Sequence, residues 1–327
     1  MDQILTALRA AAEPTRLRLL ALCAEGELTV SEITQVVGQS QPRVSRHLRL
    51  LCEAGLLDRL REGAWVFYRL SDRFDAQGAV ARALLGLLPA DDAQMALDRQ
   101  RLDDVKRARA AAAAAYFDRN AARWDDMRSM YVPEVEVESA LTDLLPPDSV
   151  SDLLDIGTGT GRMLVLYGPS AARAVGVDTS RDMLAVARAN LDAAGLRHCQ
   201  VRHADMYRLP FADRSFDAIT VHQVLHYADR PRAVIGEAAR VLKPGGRLVV
   251  ADFTPHTIES LREEHAHRRL GFADGEVAEW CAAAGLDVAA RRTLPGVPLT
   301  VALWLAEKPM VAAPAFDPLP EPAEVAR

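Results

Sequence analysis

The chain has 327 residues, too many for one ordinary hydrophobic core, so two domains are expected. Half of the residues are hydrophobic, 26% are charged and the formal net charge is −6, which excludes a generic polyanion binder but leaves room for a local basic face. Cys23, Cys52, Cys199 and Cys281 form no CxC or CxxC pair and read as packed free thiols of a reducing compartment. No apolar run reaches the ~20 residues that span a bilayer, and the N-terminus lacks the basic-then-apolar layout of a signal peptide. A cytoplasmic protein without a membrane partner is expected.

Residues 1–90 carry 11 Arg and no Lys against 10 Asp plus Glu, and are near neutral. Ile4, Leu5, Leu8 and Ala11 recur at helical spacing, and Pro14 opens a second helix where its missing N–H costs nothing. Thr29 and Glu32 form a T-x-x-E capping box for a third helix that stops at Gly38. Ser40 is placed to cap a fourth, SQPRVSRHLRLLCEAGLL, with Val44, Leu48 and Leu51 on one face and polar side chains on the other. After Leu56 the period changes to two through LDRLREGAWVFYRL, with a turn at Glu62-Gly63, which reads as a β-hairpin.

Three short helices, a helix carrying Gln, Arg and Ser, and a hairpin make a winged helix-turn-helix. The fourth helix offers Ser40, Gln41, Arg43, Ser45, Arg46 and His47, side chains suited to base edges and phosphates in a major groove. Arg59 and Arg61 on the wing suit the backbone or minor groove of double-stranded DNA. The alternative is a helix pair that packs on a partner protein and touches no DNA.

EPTRLRLLALC, SQPRVSRHLRLLCEAGLL and REGAWVFYRL resemble the ArsR/SmtB family of bacterial repressors over residues 1 to about 75. The resemblance implies a homodimer built from the first helix and the helix after the wing, residues 74–88, and operator binding weakened by a ligand bound elsewhere. Metal-sensing members carry Cys-x-Cys in a segment of the type ELCVCDL. This chain reads ELTVSEI, with Thr29 and Ser31 there, and hydroxyls are poor ligands for thiophilic metals. No metal site is expected, so the signal must come from the rest of the chain.

Pro89, Asp91 and Asp92 mark a break. A helical run follows through Leu97, Leu102, Val105 and alanines 110–115, which reads as a stiff spacer within a connecting region, residues 91–150. LLDIGTGTG, residues 153–161, then reads as a strand turning sharply into a helix over glycines that let a ligand lie on the backbone. Strand and helix patterns alternate after it. Strands are expected at 172–178, 199–205, 216–221 and 246–253, helices at 183–193 and 231–242, and a closing strand pair in LDVAARRTL and LTVALWLAE. This is an open, mainly parallel sheet with ligand groups at the strand carboxyl ends.

The acids at those ends suit an adenosine-type ligand without pyrophosphate. Asp178 can accept from ribose hydroxyls, and Asp205 from an adenine amino group with Met206 on the ring. Asp155 and the Gly157–Gly161 backbone are left for an amino-acid tail. Asp155 and Asp178 are alternatively caps for the helices that follow them.

LDIGTGTGRML, VGVDTSRDMLAVAR, ADMYRLPFADRSFDAI and HQVLHYADRPRAVIGEAARVLKPGGRLVVADF resemble class I S-adenosylmethionine-dependent methyltransferases of the ubiquinone/menaquinone-biosynthesis type, over residues 115–307. The resemblance implies seven strands with the last antiparallel. It implies S-adenosylmethionine or S-adenosylhomocysteine held by Gly157, Gly159, Gly161, Asp178, Asp205 and Met206. Thr158, Thr179, Met183 and His222 fall in or beside these motifs and are expected, with Asp155, to bind the cofactor as well. YFDRNAARWDDMRSMY, residues 116–131, resembles the lid that precedes many such cores.

The acceptor is not readable. His222, Gln223, His226 and Tyr227 follow the fourth strand, and one of His222, His226 and Tyr227 is a candidate general base. LREEHAHRRLGF, residues 261–272, reads as a charged, solvated helical face or a domain contact, and 309–327 as a disordered tail. The expected architecture is an α+β winged-helix domain (1–90) followed by an α/β Rossmann-like seven-stranded domain (151–308). The first functional expectation is a repressor that senses S-adenosylmethionine or S-adenosylhomocysteine to control methionine-cycle genes. The alternative is a small-molecule methyltransferase with an autoregulatory DNA-binding domain.

Overall fold

The structure is a computed structural model and describes residues 1–62, 65–71, 76–89, 91–109, 111, 132–265 and 267–310. The expected lid at 116–131, most of alanines 110–115, Gly63 of the wing turn and most of the tail lie outside these residues.

The N-terminal part runs α1 (Asp2–Ala11), α2 (Pro14–Ala24), β1 (Leu28–Thr29), α3 (Val30–Val37), α4 (Gln41–Glu53), β2 (Leu57–Glu62), β3 (Trp65–Leu70) and α5 (Ala76–Gly86). The three strands pair antiparallel in the order β1-β3-β2. Both arms of the Thr29–Glu32 capping box form, and Gly38 closes α3 in the left-handed region. Ser40 stands at the N-cap of α4, but its hydroxyl makes no capping bond. Pro42 removes the N2 donor, and the Ser40 carbonyl instead accepts from Arg43 and Val44. Val44, Leu48 and Leu51 pack with Leu19, Leu20 and Ile33 into one core.

Helix α6, residues 93–109, is no free spacer. Leu102 and Val105 are buried in the winged-helix core, Arg18 pairs with Asp98 (2.5 Å), and Arg101 donates to the Val36 carbonyl (3.0 Å). The period along the chain identifies the helix. It does not identify what the helix packs against.

After α7 (Glu134–Leu144) the second part runs β4 (Asp152–Ile156), α8 (Arg162–Tyr167), β5 (Arg173–Asp178), α9 (Arg181–Ala193), β6 (Cys199–His203) and β7 (Phe216–His222). It continues with α10 (Pro231–Val241), β8 (Leu242–Phe253), α11 (Ser260–Glu264), α12 (Asp274–Ala283), β9 (Asp287–Leu294) and β10 (Val301–Glu307). Seven strands order as β6-β5-β4-β7-β8-β10-β9. The pairs among β4 to β8 are parallel, and β10 runs antiparallel to both neighbours. This is the Rossmann-like methyltransferase fold with its last strand reversed. Alternate residues divide between the faces: Leu153, Ala174 and Val249 join one core, and Leu154, Val175 and Val250 the other. Strand order reverses at β4, between β5 and β7, which opens a crevice at the carboxyl ends there.

The segment 261–272 departs from the expected charged helix. Among its described residues helix is confined to Ser260–Glu264, and His265 and His267 are buried (6% and 2% exposed). The His267 ring lies 4.1 Å from that of His226, so the segment packs on the end of β7 rather than facing water.

Candidate functional site

A cavity of about 410 Å³ opens at that crevice. Gly157, Gly159 and Gly161 all have positive φ (72°, 51° and 82°), which glycine alone adopts freely. The turn is braced on β5, because Gly157 and Thr158 donate to the Val177 carbonyl at 2.8 and 2.9 Å. A Cβ on Gly157 would fall 2.3 Å from Val224, whereas one on Gly159 would meet nothing within 4 Å. The backbone at Gly159 is thus an open cradle.

The Asp178 carboxylate ties the loop to the next helix. Gly159 N donates to its Oδ2 (2.9 Å) and Ser180 N to its Oδ1 (2.8 Å). Each oxygen keeps a lone pair for a further donor. Asp155 is 1% exposed and accepts from the Thr220 hydroxyl at 2.7 Å. Burial pushes its carboxyl up to about 6 against the lowering effect of the threonine hydroxyls.

The cavity lining contains Asp155, Gly157, Thr158, Gly159, Asp178, Thr179, Met183, Met206, His222, His226 and Tyr227 of the residues named from sequence. Gly161 stands behind it as the N-cap of α8. Asp205 is exposed at the end of β6, its Oδ1 accepts from Tyr207 N (2.9 Å), and it is not among the lining residues. Sequence reasoning missed Glu134, Thr160 and Arg162, which also line the cavity. Arg162 directly follows the glycine turn and pairs with Glu138 of α7, a contact between segments that no local pattern announces.

Asp252, at the end of β8, was also missed. Its Oδ1 lies 2.8 Å from His226 Nδ1 and its Oδ2 accepts from His226 N at 3.2 Å, with both residues buried. The carboxylate holds the proton on Nδ1, which leaves Nε2 as the basic nitrogen. Among the described residues His226 Nε2 has no hydrogen-bond partner, and the residue lines the cavity. The rings of Tyr227 (4.1 Å), His267 (4.1 Å) and Phe253 (5.0 Å) fix its orientation. Burial depresses His222 to about 4 and His267 to about 3, so both are neutral at physiological pH. Gln223 beside them adopts φ 49°, a strained conformation for a non-glycine residue at the mouth of the site.

At the other end of the chain, α4 exposes Ser40, Gln41, Arg43 and Arg46. Ser45 and His47 are half-buried, and His47 Nδ1 turns back to 3.7 Å from Glu13. Burial lowers the His47 imidazole despite that carboxylate. Arg59 and Arg61 of β2 are exposed. The Thr29 hydroxyl accepts from Glu32 N, so it serves as a cap. Among the described residues no helix is long and apolar enough to cross a membrane, and no group of three His, Cys, Asp or Glu is placed to hold a metal ion.

Residues 13–59 match the family model "Bacterial regulatory protein, arsR family", and residues 154–250 match "Methyltransferase domain". A demethylmenaquinone methyltransferase of Clavibacter sepedonicus is 38% identical over 123 residues, 38% of this chain and 49% of that protein. One of Thermus thermophilus is 41% identical over 116 residues, 35% of this chain and 52% of that protein. The chain thus spans about half the length of the curated relatives it matches. Among solved structures, the YcgJ protein of Bacillus subtilis covers 54% of this chain and 100% of its own at 20% identity, with a TM-score of 0.48. The helices that lead to α4 and the glycine turn at the switch point fall within the matched segments: the chain joins an arsR-family helix-turn-helix, residues 13–59, to a methyltransferase domain, residues 154–250.

Proposed function

We propose that the protein is a DNA-binding regulator that reads S-adenosylmethionine or S-adenosylhomocysteine through its methyltransferase domain. The reading rests on one observation: the chain that exposes Gln41, Arg43 and Arg46 on α4 also holds the 410 Å³ cavity at the β4 switch point. The residues around that cavity fit the ligand. The open cradle at Gly159 suits the amino-acid part, Asp178 the ribose hydroxyls, and Met183 and Met206 the adenine faces. Asp205, at the rim, accepts from Tyr207 N through Oδ1 and keeps Oδ2 for the adenine amino group. Control of methionine-cycle genes follows as the use for such a signal. A homodimer through α1 and α5 places two α4 helices on one operator, which is the family's way of reading double-stranded DNA. The test is the affinity for the DNA upstream of the protein's own gene at fixed salt, titrated separately with the two ligands. A shift with either makes the second domain a sensor. No shift while both ligands bind rules the sensor out.

The His226–Asp252 pair favours a second reading, methyl transfer to a small molecule. Bound S-adenosylmethionine supplies an electrophilic methyl group. His226 Nε2 takes the proton of a hydroxyl or similarly protic acceptor, while Asp252 stabilises the resulting imidazolium through Nδ1–H. Steady release of S-adenosylhomocysteine with such an acceptor, falling ~10²–10⁴-fold in kcat for His226→Asn, supports this reading. Unchanged turnover in that variant removes His226 as the base.

A further inference from the structure

Helix α9 is gripped from two sides. One side faces the ligand loop. Met183 lines the cavity, Asn190 Nδ2 donates to the Thr160 carbonyl at 2.9 Å, and Asp178 binds both Gly159 N and the N-cap Ser180 N. The other side faces the winged helix. Arg188 Nε donates to Glu27 Oε2 at 3.2 Å, with both side chains under 9% exposed, and its guanidinium sits 3.8 Å from the centre of the Phe67 ring. One turn on, Asp192 accepts from Arg109 (3.3 Å), which also holds Glu32 (2.8 Å) and the Glu27 carbonyl (2.7 Å).

The winged-helix residues in this grip are not peripheral. Phe67 of β3 pairs with Thr29 of β1 at the root of the wing, and Glu32 completes the cap of α3, the helix before α4. Met183 and Arg188 are five residues apart on one helix, about 7.5 Å along its axis. A shift of the glycine loop therefore moves a rigid rod whose far side carries the root of the wing.

We infer that α9 is the mechanical link between the ligand cavity and the DNA-reading unit, with Glu27, Arg188 and Phe67 as its coupling joint. The inference rests on the reading of the cavity as a binding site. Charge burial makes the joint discrete. Parting Glu27 from Arg188 strips a buried carboxylate of its cation, while Arg188 keeps the Val201 carbonyl (3.3 Å) and the Phe67 ring, so opening the joint requires water to reach Glu27. A packed two-position contact is what converts a small displacement at a ligand into a change elsewhere.

The experiment uses the full-length protein, S-adenosylhomocysteine as probe, and two readouts: amide hydrogen exchange, and affinity for the upstream DNA. In the wild type, saturation with the probe slows exchange at 27–32 and 66–70 and changes DNA affinity by about five-fold or more. The double variant Glu27→Gln/Arg188→Gln removes both charges together. It retains probe affinity and loses both responses. Phe67→Leu, which leaves no charge unpaired, weakens them in the same direction. If exchange at 66–70 ignores the probe in the wild type, the link is overturned without recourse to any variant. If the variants bind the probe and still respond like the wild type, the link is overturned while the sensor reading stands. If exchange responds and DNA affinity does not, the link stands and the sensor reading falls.

Discussion

At the scale of single residues, the site is set by carboxylates whose surroundings differ. Asp178 already accepts two backbone N–H bonds, so it is oriented before any ligand arrives. Charge-assisted hydrogen bonds are worth ~1.5–3 kcal/mol, so Asp178→Asn weakens S-adenosylhomocysteine binding by roughly 10–150-fold. Calorimetric titration checks this, and a change of less than two-fold would sink the ribose role. The buried histidines give a pH signature. His222 and His267 have folded-state values of about 4 and about 3 against an ordinary 6.5. Between roughly 4 and 6.5 the unfolded chain binds more protons at these rings, so their contribution makes stability rise with pH in that window. Asp155 works in the opposite sense: its folded value of about 6 lies above the ordinary 3.8, so its contribution falls as pH rises between them. Two groups outweigh one. Urea midpoints fall from pH 6.5 to pH 4.5, less steeply in His222→Gln and more steeply in Asp155→Asn.

At the scale of elements, the capping box, the hairpin and every strand of the seven-stranded sheet were legible in the sequence. Buried parallel strands read as apolar runs between turn residues, and a cap has a fixed offset. The Thr29 box is worth a direct measurement: Thr29→Ala costs ~1 kcal/mol, read from denaturant midpoints. A neutral result would mean that α3 is held by packing of Ile33, Val36 and Val37 alone. Contacts that join distant segments were not legible. Asp252 reads as the end of a buried strand until β7 and β8 pair and bring His226 beside it. Residues 261–272 look solvated because five of the twelve are Arg or Glu, yet both histidines among them are buried and the His267 ring packs against His226. Helix α6 looks like a spacer because its exposed faces dominate its composition, while Leu102 and Val105 are its side chains buried in the winged-helix core and Asp98, Arg101 and Arg109 add polar ties. Periodicity tells which face is buried and is silent on the partner.

For the whole molecule, the unresolved surface is that of α1. This helix buries Ala7 and Ala11 but leaves Ile4, Leu5 and Leu8 36–42% exposed, and Leu87 just beyond α5 is 80% exposed. Helices α1 and α5 pack side by side, and Ile4, Leu5 and Leu8 form an apolar stripe along α1. In the proposed homodimer, a two-fold axis across the stripe buries it against its own copy, with each residue used twice. Leu5→Glu/Leu8→Glu then places twice as many carboxylates in that contact as there are substitutions per chain. Sedimentation equilibrium gives a dimer for the wild type and a monomer for the variant. Melting temperature depends on protein concentration for the wild type alone. DNA affinity falls in the variant because a single α4 reads only half an operator, whereas S-adenosylhomocysteine affinity is unchanged, since neither Leu5 nor Leu8 is among the residues that line the cavity. A variant that remains dimeric would move the interface away from α1, and one that loses ligand affinity as well would mean that the cavity depends on the second copy.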